Sequence, residues 1–110
     1  MNEFTEDQEN CIRWTASYLS ELLDIDLRKP QYYHWLIEAI EHSGWEEFKF
    51  WNSKHSLERK YFELWRLKVE SKFRIHYLMF TNEYKAAYFL KDQYHRRIMD
   101  LELMLKLHVA

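Results

Sequence analysis

From residue 45 to residue 110 the chain contains no glycine and no proline; its one glycine is Gly44 and its one proline Pro30. That run withholds the residues on which tight, positive-φ turns depend, so the second half of the chain has few places to reverse direction. Collagenous, low-complexity and turn-dense sandwich architectures are excluded with it. The chain is nevertheless rich in material for a core: 47% of its 110 residues are apolar and 18% are aromatic, which excludes a disordered tail and leaves room for one domain, residues 1–110, and not two. Twenty aromatic rings exceed what one small core readily hides, so some are expected in an interface or a homo-oligomer contact.

Before Gly44 the signals are helical. Thr5 is placed to cap a first helix reaching Leu23, with Glu6, Asp7 and Glu9 in its positive first turn and Ile12, Leu19, Leu22 and Leu23 as its apolar stripe. A polar break, Asp24 to Lys29, ends it. Pro30 then suits the first turn of a second helix, with a stripe of Tyr33, Leu36, Ile37 and Ile40, that runs to about Ser43 and stops at Gly44.

Beyond Gly44 two periodicities compete. With period two, Tyr61, Trp65, Leu67 and Val69 share one face of a strand, Phe73, Ile75, Tyr77 and Met79 a second, and Tyr84, Ala86, Tyr88 and Leu90 a third. Polar breaks at Glu70-Ser71-Lys72 and Thr81-Asn82-Glu83 would join them into an antiparallel meander. With a period of three to four, Leu57, Tyr61, Trp65, Val69, Phe73, Tyr77, Phe80 and Tyr84 form a helical stripe instead. The β-prone composition of Phe73 to Phe80 favours the meander. The expected fold is therefore α+β, with two N-terminal helices packed on a small antiparallel β-meander and a C-terminal helix from Tyr94 to Leu107; the alternative is an all-α helical bundle.

Charge divides the chain at the same place. Residues 1–47 hold three Lys/Arg against eleven Asp/Glu, whereas residues 48–110 hold thirteen against seven and four of the six histidines. A basic half points to a polyanionic partner. In the meander the side opposite the core would carry Arg66, Lys68, Arg74, His76, Lys85 and Lys91 as one basic wall. The single Cys11 excludes a disulfide framework and, with the absence of a leader-like or membrane-spanning apolar run, makes a reducing, cytoplasmic setting the expectation.

The runs Phe62-Glu63-Leu64-Trp65-Arg66-Leu67-Lys68-Val69, Lys72-Phe73-Arg74-Ile75-His76-Tyr77, Tyr88-Phe89-Leu90-Lys91 and Asp100-Leu101-Glu102-Leu103-Met104-Leu105-Lys106 resemble the second half of RelE/HigB-type toxins of toxin–antitoxin modules. The likeness covers about residues 57–108 and implies a small α+β domain that cleaves mRNA, commonly on the ribosome, and is held off by an antitoxin. Arg74 matches the arginine of that family's second strand motif, and Asp92-Gln93-Tyr94-His95 resembles the Asp-Tyr-His ending of some members with one residue inserted.

Cleaving RNA without a metal or cofactor needs a group to accept the 2′-OH proton, one to protonate the leaving oxygen, and cations to hold the phosphorane charge. Arg74, His95 and His76 are the candidate catalytic residues, since an arginine clamps phosphate and an imidazole ordinarily titrates near ~6.5. Arg66, Lys68, Lys85, Lys91, Arg96 and, by stacking, Tyr94 are the candidate RNA contacts. His34, Glu38 and His42 fall at four-residue intervals on one helix face but lack a fourth metal ligand, and Arg28 and His34 fall in the loose spacing of HEPN-type ribonucleases with Pro30 between them. The rival from a different class is a non-enzymatic helical interaction protein, of the kind a phage or mobile element uses to block a host complex.

Overall fold

The computed structural model describes residues 3–109 and is helical throughout, in the order α1 (Glu6–Leu23), α2 (Pro30–Ser43), a 3-10 turn (Glu46–Phe50), α3 (Ser56–Phe80) and α4 (Tyr84–Val109). The local signals before Gly44 work as expected. Thr5 Oγ1 accepts from the Gln8 N–H at 3.1 Å while Gln8 Oε1 accepts from the Thr5 N–H at 3.0 Å, closing a capping box at the start of α1. Pro30 opens α2, and Gly44, at φ 90°, leaves the helix in a conformation that a Cβ would strain.

The expected meander is not formed. Among the described residues there is no strand, and all three segments assigned to it lie on α3 and α4. Glu70-Ser71-Lys72 is the middle of α3, where a turn would have needed a residue with positive φ and none is present. Thr81-Asn82-Glu83 is a true reversal, but of helices. Asn82 adopts φ 64°, its N–H bonds Met79 O at 3.2 Å, and the Glu83 N–H reaches Leu78 O at 2.8 Å, the two bonds of a Schellman cap with asparagine in the left-handed position. The β-prone residues between Phe73 and Phe80 gain more from packing than their propensity costs, because Phe73 becomes wholly buried against α1 and α2. The fold that the toxin resemblance implies is thus replaced by a helical one.

α3 is buried on two sides. Trp65, Val69 and Phe73, four residues apart, face a core built with Leu19 of α1, Leu36, Ala39 and Ile40 of α2, and Phe48 of the 3-10 turn. Trp14, Phe48, Phe62 and Trp65 form its aromatic centre, with ring centroids of Trp14 and Phe62 5.3 Å apart and those of Phe48 and Trp65 5.6 Å apart. On its other side Leu64, Leu67 and Ile75 meet Leu90, Tyr94, Ile98 and Leu101 of α4. The buried positions of α4, Ala87, Tyr94, Leu101 and Leu105, follow a heptad, so α3 and α4 pack as an antiparallel coiled-coil-like hairpin. The result is a slab of 41 × 36 × 22 Å, about two helices thick in its short dimension. Two expected stripe residues face out: Leu22 and Tyr33 are exposed, and Tyr32 rather than Tyr33 enters the core.

A dominant helical far-ultraviolet circular dichroism spectrum is expected, and Phe73→Ala should lower the free energy of unfolding by about 3–5 kcal/mol in a urea titration. At the reversal, Asn82→Val should cost about 1–2 kcal/mol, whereas Asn82→Gly should be close to neutral.

Candidate functional site

The wound chain sorts the basic candidates into different places. Arg66 and Arg74 leave the expected wall and join a polar network around Glu70, which is 5% exposed at the middle of α3. Tyr18 of α1 and Tyr94 of α4 each donate a hydroxyl hydrogen bond to a different oxygen of that carboxylate. Arg66 donates to the Tyr18 hydroxyl and lies 3.4 Å from Glu70 Oε1, while Arg74 Nη1 donates to the Tyr94 hydroxyl at 3.1 Å. Tyr94 is therefore a buried link between α4 and α3 and not a stacking platform, and Arg74 is engaged by a tyrosine of its own chain. Burial, and then the hydrogen bond to Glu70, push the Tyr94 hydroxyl from its usual 10.0 to about 12; the same two causes raise Tyr18.

His76, His95, Lys68 and Lys91 come together elsewhere. They line a groove of about 580 Å³ where α2, α3 and α4 meet, with His42 and Lys72 added and Ile75, Met79 and Ile98 as its apolar lining. Helical spacing builds it: Lys68, Lys72 and His76 succeed one another at intervals of four on α3, and Lys91 and His95 do so on α4. Placing Lys68 and Lys72 one turn apart costs α3 a few tenths of a kcal/mol. Among the described residues no carboxylate lies within ion-pairing distance of Lys68, Lys72 or Lys91, so their charge faces the groove uncompensated. His76 stacks on Trp35 with centroids 4.9 Å apart and planes inclined by 14°, and the exposed Phe80 packs edge-on against the same indole at 5.1 Å. A cationic groove thereby adjoins a shelf of stacked rings.

The remaining candidates stand apart from this groove. Lys85 is exposed near the start of α4, and Arg96 pairs with Asp92 at 3.2 Å on the outer side of the same helix. His34 and Glu38 pair at 3.7 Å on the surface and do not line the groove, and among the described residues no group of three or more His, Cys, Asp or Glu is arranged to hold a metal. Arg28 bonds Asp26 at 2.9 Å and thereby lowers that carboxyl's pKa. Cys11 is buried, and desolvation raises its thiol to about 12, which withholds the nucleophilic thiolate. The sequence reading missed His42 and Lys72 in the groove and Glu70 in the core. The four-residue spacing from Lys68 to His76 is the signal that marks Lys72; Glu70 carries none, because nothing local distinguishes a carboxylate that meets two distant tyrosines from one in solvent.

No family model matches the chain, and neither characterised proteins nor solved structures include one similar to it. Among the described residues no helix is long and apolar enough to cross a membrane.

Glu70→Ala should destabilise the protein by about 3–5 kcal/mol in chemical denaturation, because the Tyr18 and Tyr94 hydroxyls lose the carboxylate they share and Arg66 loses its ion-pair partner. Since folding raises the Tyr94 pKa, the stability it contributes is fully present below pH 10 and is lost as pH rises from there through about 12. Tyr94→Phe should flatten that alkaline limb while lowering stability at neutral pH by about 1–3 kcal/mol.

Proposed function

We propose that the protein binds single-stranded RNA in the groove between α2, α3 and α4 and acts there as a metal-independent, toxin-like ribonuclease. The observation that carries this reading is the convergence of three lysines and three histidines on one groove, from residues that lie as much as 53 positions apart in the chain. Its volume of about 580 Å³ suits a nucleotide-sized segment. Lys68, Lys72 and Lys91 would take the phosphates, and the Trp35–His76–Phe80 shelf would stack an adjacent base, the combination by which single strands are held without a base code.

One of His76 and His95 accepts the 2′-OH proton as that oxygen attacks phosphorus; the other protonates the departing 5′-oxygen, and the lysines hold the charge that builds on the phosphorane. The products are a 2′,3′-cyclic phosphate and a free 5′-hydroxyl. Arg74, spent on Tyr94, has a positioning and not a clamping part in this reading.

A specific observation favours a second reading, the non-enzymatic interaction protein. Tyr88, Phe89, Met99, Leu103 and Leu107 are 55–71% exposed on α4, whose inner side alone packs on α3. An antitoxin, a host protein or a second copy would cover that surface.

The two readings separate on one set of measurements. A fluorescently labelled RNA oligonucleotide should bind with an affinity that falls as salt rises, and the triple variant Lys68→Gln/Lys72→Gln/Lys91→Gln should weaken it by at least about tenfold and flatten the salt slope by about two to three. Cleavage in the presence of EDTA should yield the cyclic phosphate, fail on a 2′-deoxy substrate, and drop about 100-fold or more in His76→Ala or His95→Ala. Absence of salt-dependent binding would remove the RNA reading and leave the interaction protein.

A further inference from the structure

A second cavity lies at the opposite, acidic end of the chain and plays no part in the reading above. It is a cleft of about 690 Å³ between the first turns of α1 and the 3-10 turn, walled by Trp14, Trp45, Phe48 and Trp51 and bordered by Asp7 and Glu46. Four aromatic side chains wall the cleft, and three are tryptophans, of which the chain has five, the side chain whose face attracts cations most strongly. Phe48 and Trp51 lie parallel, 6.2 Å between centroids and 7° between planes, with Trp14 edge-on to Phe48 at 5.9 Å. The rings are thus held by packing before any ligand arrives. Trp51 is nonetheless 50% exposed, which leaves its ring open to something that enters the cleft.

Charge selects what that something is. The positive end of α1 is already answered by the Thr5–Gln8 capping box and by Glu6 and Glu9 in its first turn. Lys49, the one cation bordering the cleft among the described residues, holds its ammonium 5.1 Å from the centre of the Phe50 ring. Asp7 and Glu46 remain, within a segment of the chain that carries eleven Asp/Glu against three Lys/Arg. An anion would be repelled and a neutral apolar group would gain nothing from the carboxylates. We propose that this cleft binds an alkylated ammonium group, held by cation–π contact with the tryptophan faces and by the field of Asp7 and Glu46, as found on a free quaternary amine or on a methylated lysine of a partner polypeptide.

The test uses the intact protein at constant ionic strength. Choline should bind saturably in the millimolar range, read by tryptophan fluorescence and by ligand NMR line broadening. Its neutral isostere, with a tert-butyl group in place of trimethylammonium, should bind at least about tenfold more weakly, since it keeps the shape and loses the charge. Trp51→Ala, at a half-exposed position, should weaken choline by about tenfold, and Glu46→Gln by about threefold, with unchanged circular dichroism. A peptide bearing one trimethyllysine that binds more tightly than choline assigns the site to a protein partner; one that binds no better assigns it to a free amine. Equal binding of choline and its isostere, an unaltered affinity in Trp51→Ala, or no saturable binding overturns the proposal. None of these outcomes touches RNA binding, which draws on residues of the other groove.

Discussion

One carboxylate holds the protein's two cores in register. Glu70 sits between the face of α3 that packs on α1 and α2 and the face that packs on α4, and it accepts hydroxyl hydrogen bonds from Tyr18 on one side and Tyr94 on the other. A buried carboxylate without partners would be strongly unfavourable, so Glu70 favours the arrangement that brings both tyrosines and Arg66 to it, with Arg74 backing the Tyr94 hydroxyl. The network ties α1 and α4 to one point on α3, and the groove between α3 and α4 inherits that placement.

The cationic groove is one such consequence. With α4 locked at Tyr94, the neighbouring His95 and the preceding turn's Lys91 fall opposite Lys68, Lys72 and His76, and His42 arrives from the end of α2. The same locking consumes Arg66 and Arg74 as structural donors. Strong hydrogen-bonding cations therefore serve the interior while flexible lysines serve the surface, a division that matches their physical differences: a planar guanidinium suits fixed multidentate bonding, and an ammonium on a long stem suits a mobile polyanion.

Much of the first half was legible in the sequence. Thr5, Pro30 and Gly44 act through local backbone chemistry, which needs no tertiary information, and α1 begins, and α2 begins and ends, where those residues place them. The second half was misread because its apolar residues satisfy both periods. Trp65, Val69, Phe73 and Tyr77 are spaced by four, yet Phe73, Ile75, Tyr77 and Met79 also alternate, and α3 buries two faces, which fills in the polar gaps that ordinarily reveal a helix. The missing glycines were the better guide, since a meander must turn and a helix need not. At the candidate site the residue types were foreseen for His76, His95, Lys68 and Lys91, but their company was not, because a shared strand face and a shared helix face select different neighbours.

By itself the sequence determined that the chain turns at the Asp24–Lys29 break and at Gly44, and that charge divides into an acidic and a basic half, because these properties reside in single residues and their order, whereas it marked Glu70–Lys72 and Thr81–Glu83 alike as reversals and only the second is one. Only the tertiary structure decided which basic side chains are buried donors and which line a groove, and which tryptophans close a core and which border a cleft. Those assignments depend on contacts between residues tens of positions apart, such as Tyr18 with Glu70 and Glu70 with Tyr94, whose free energy exists only once all three helices are in place.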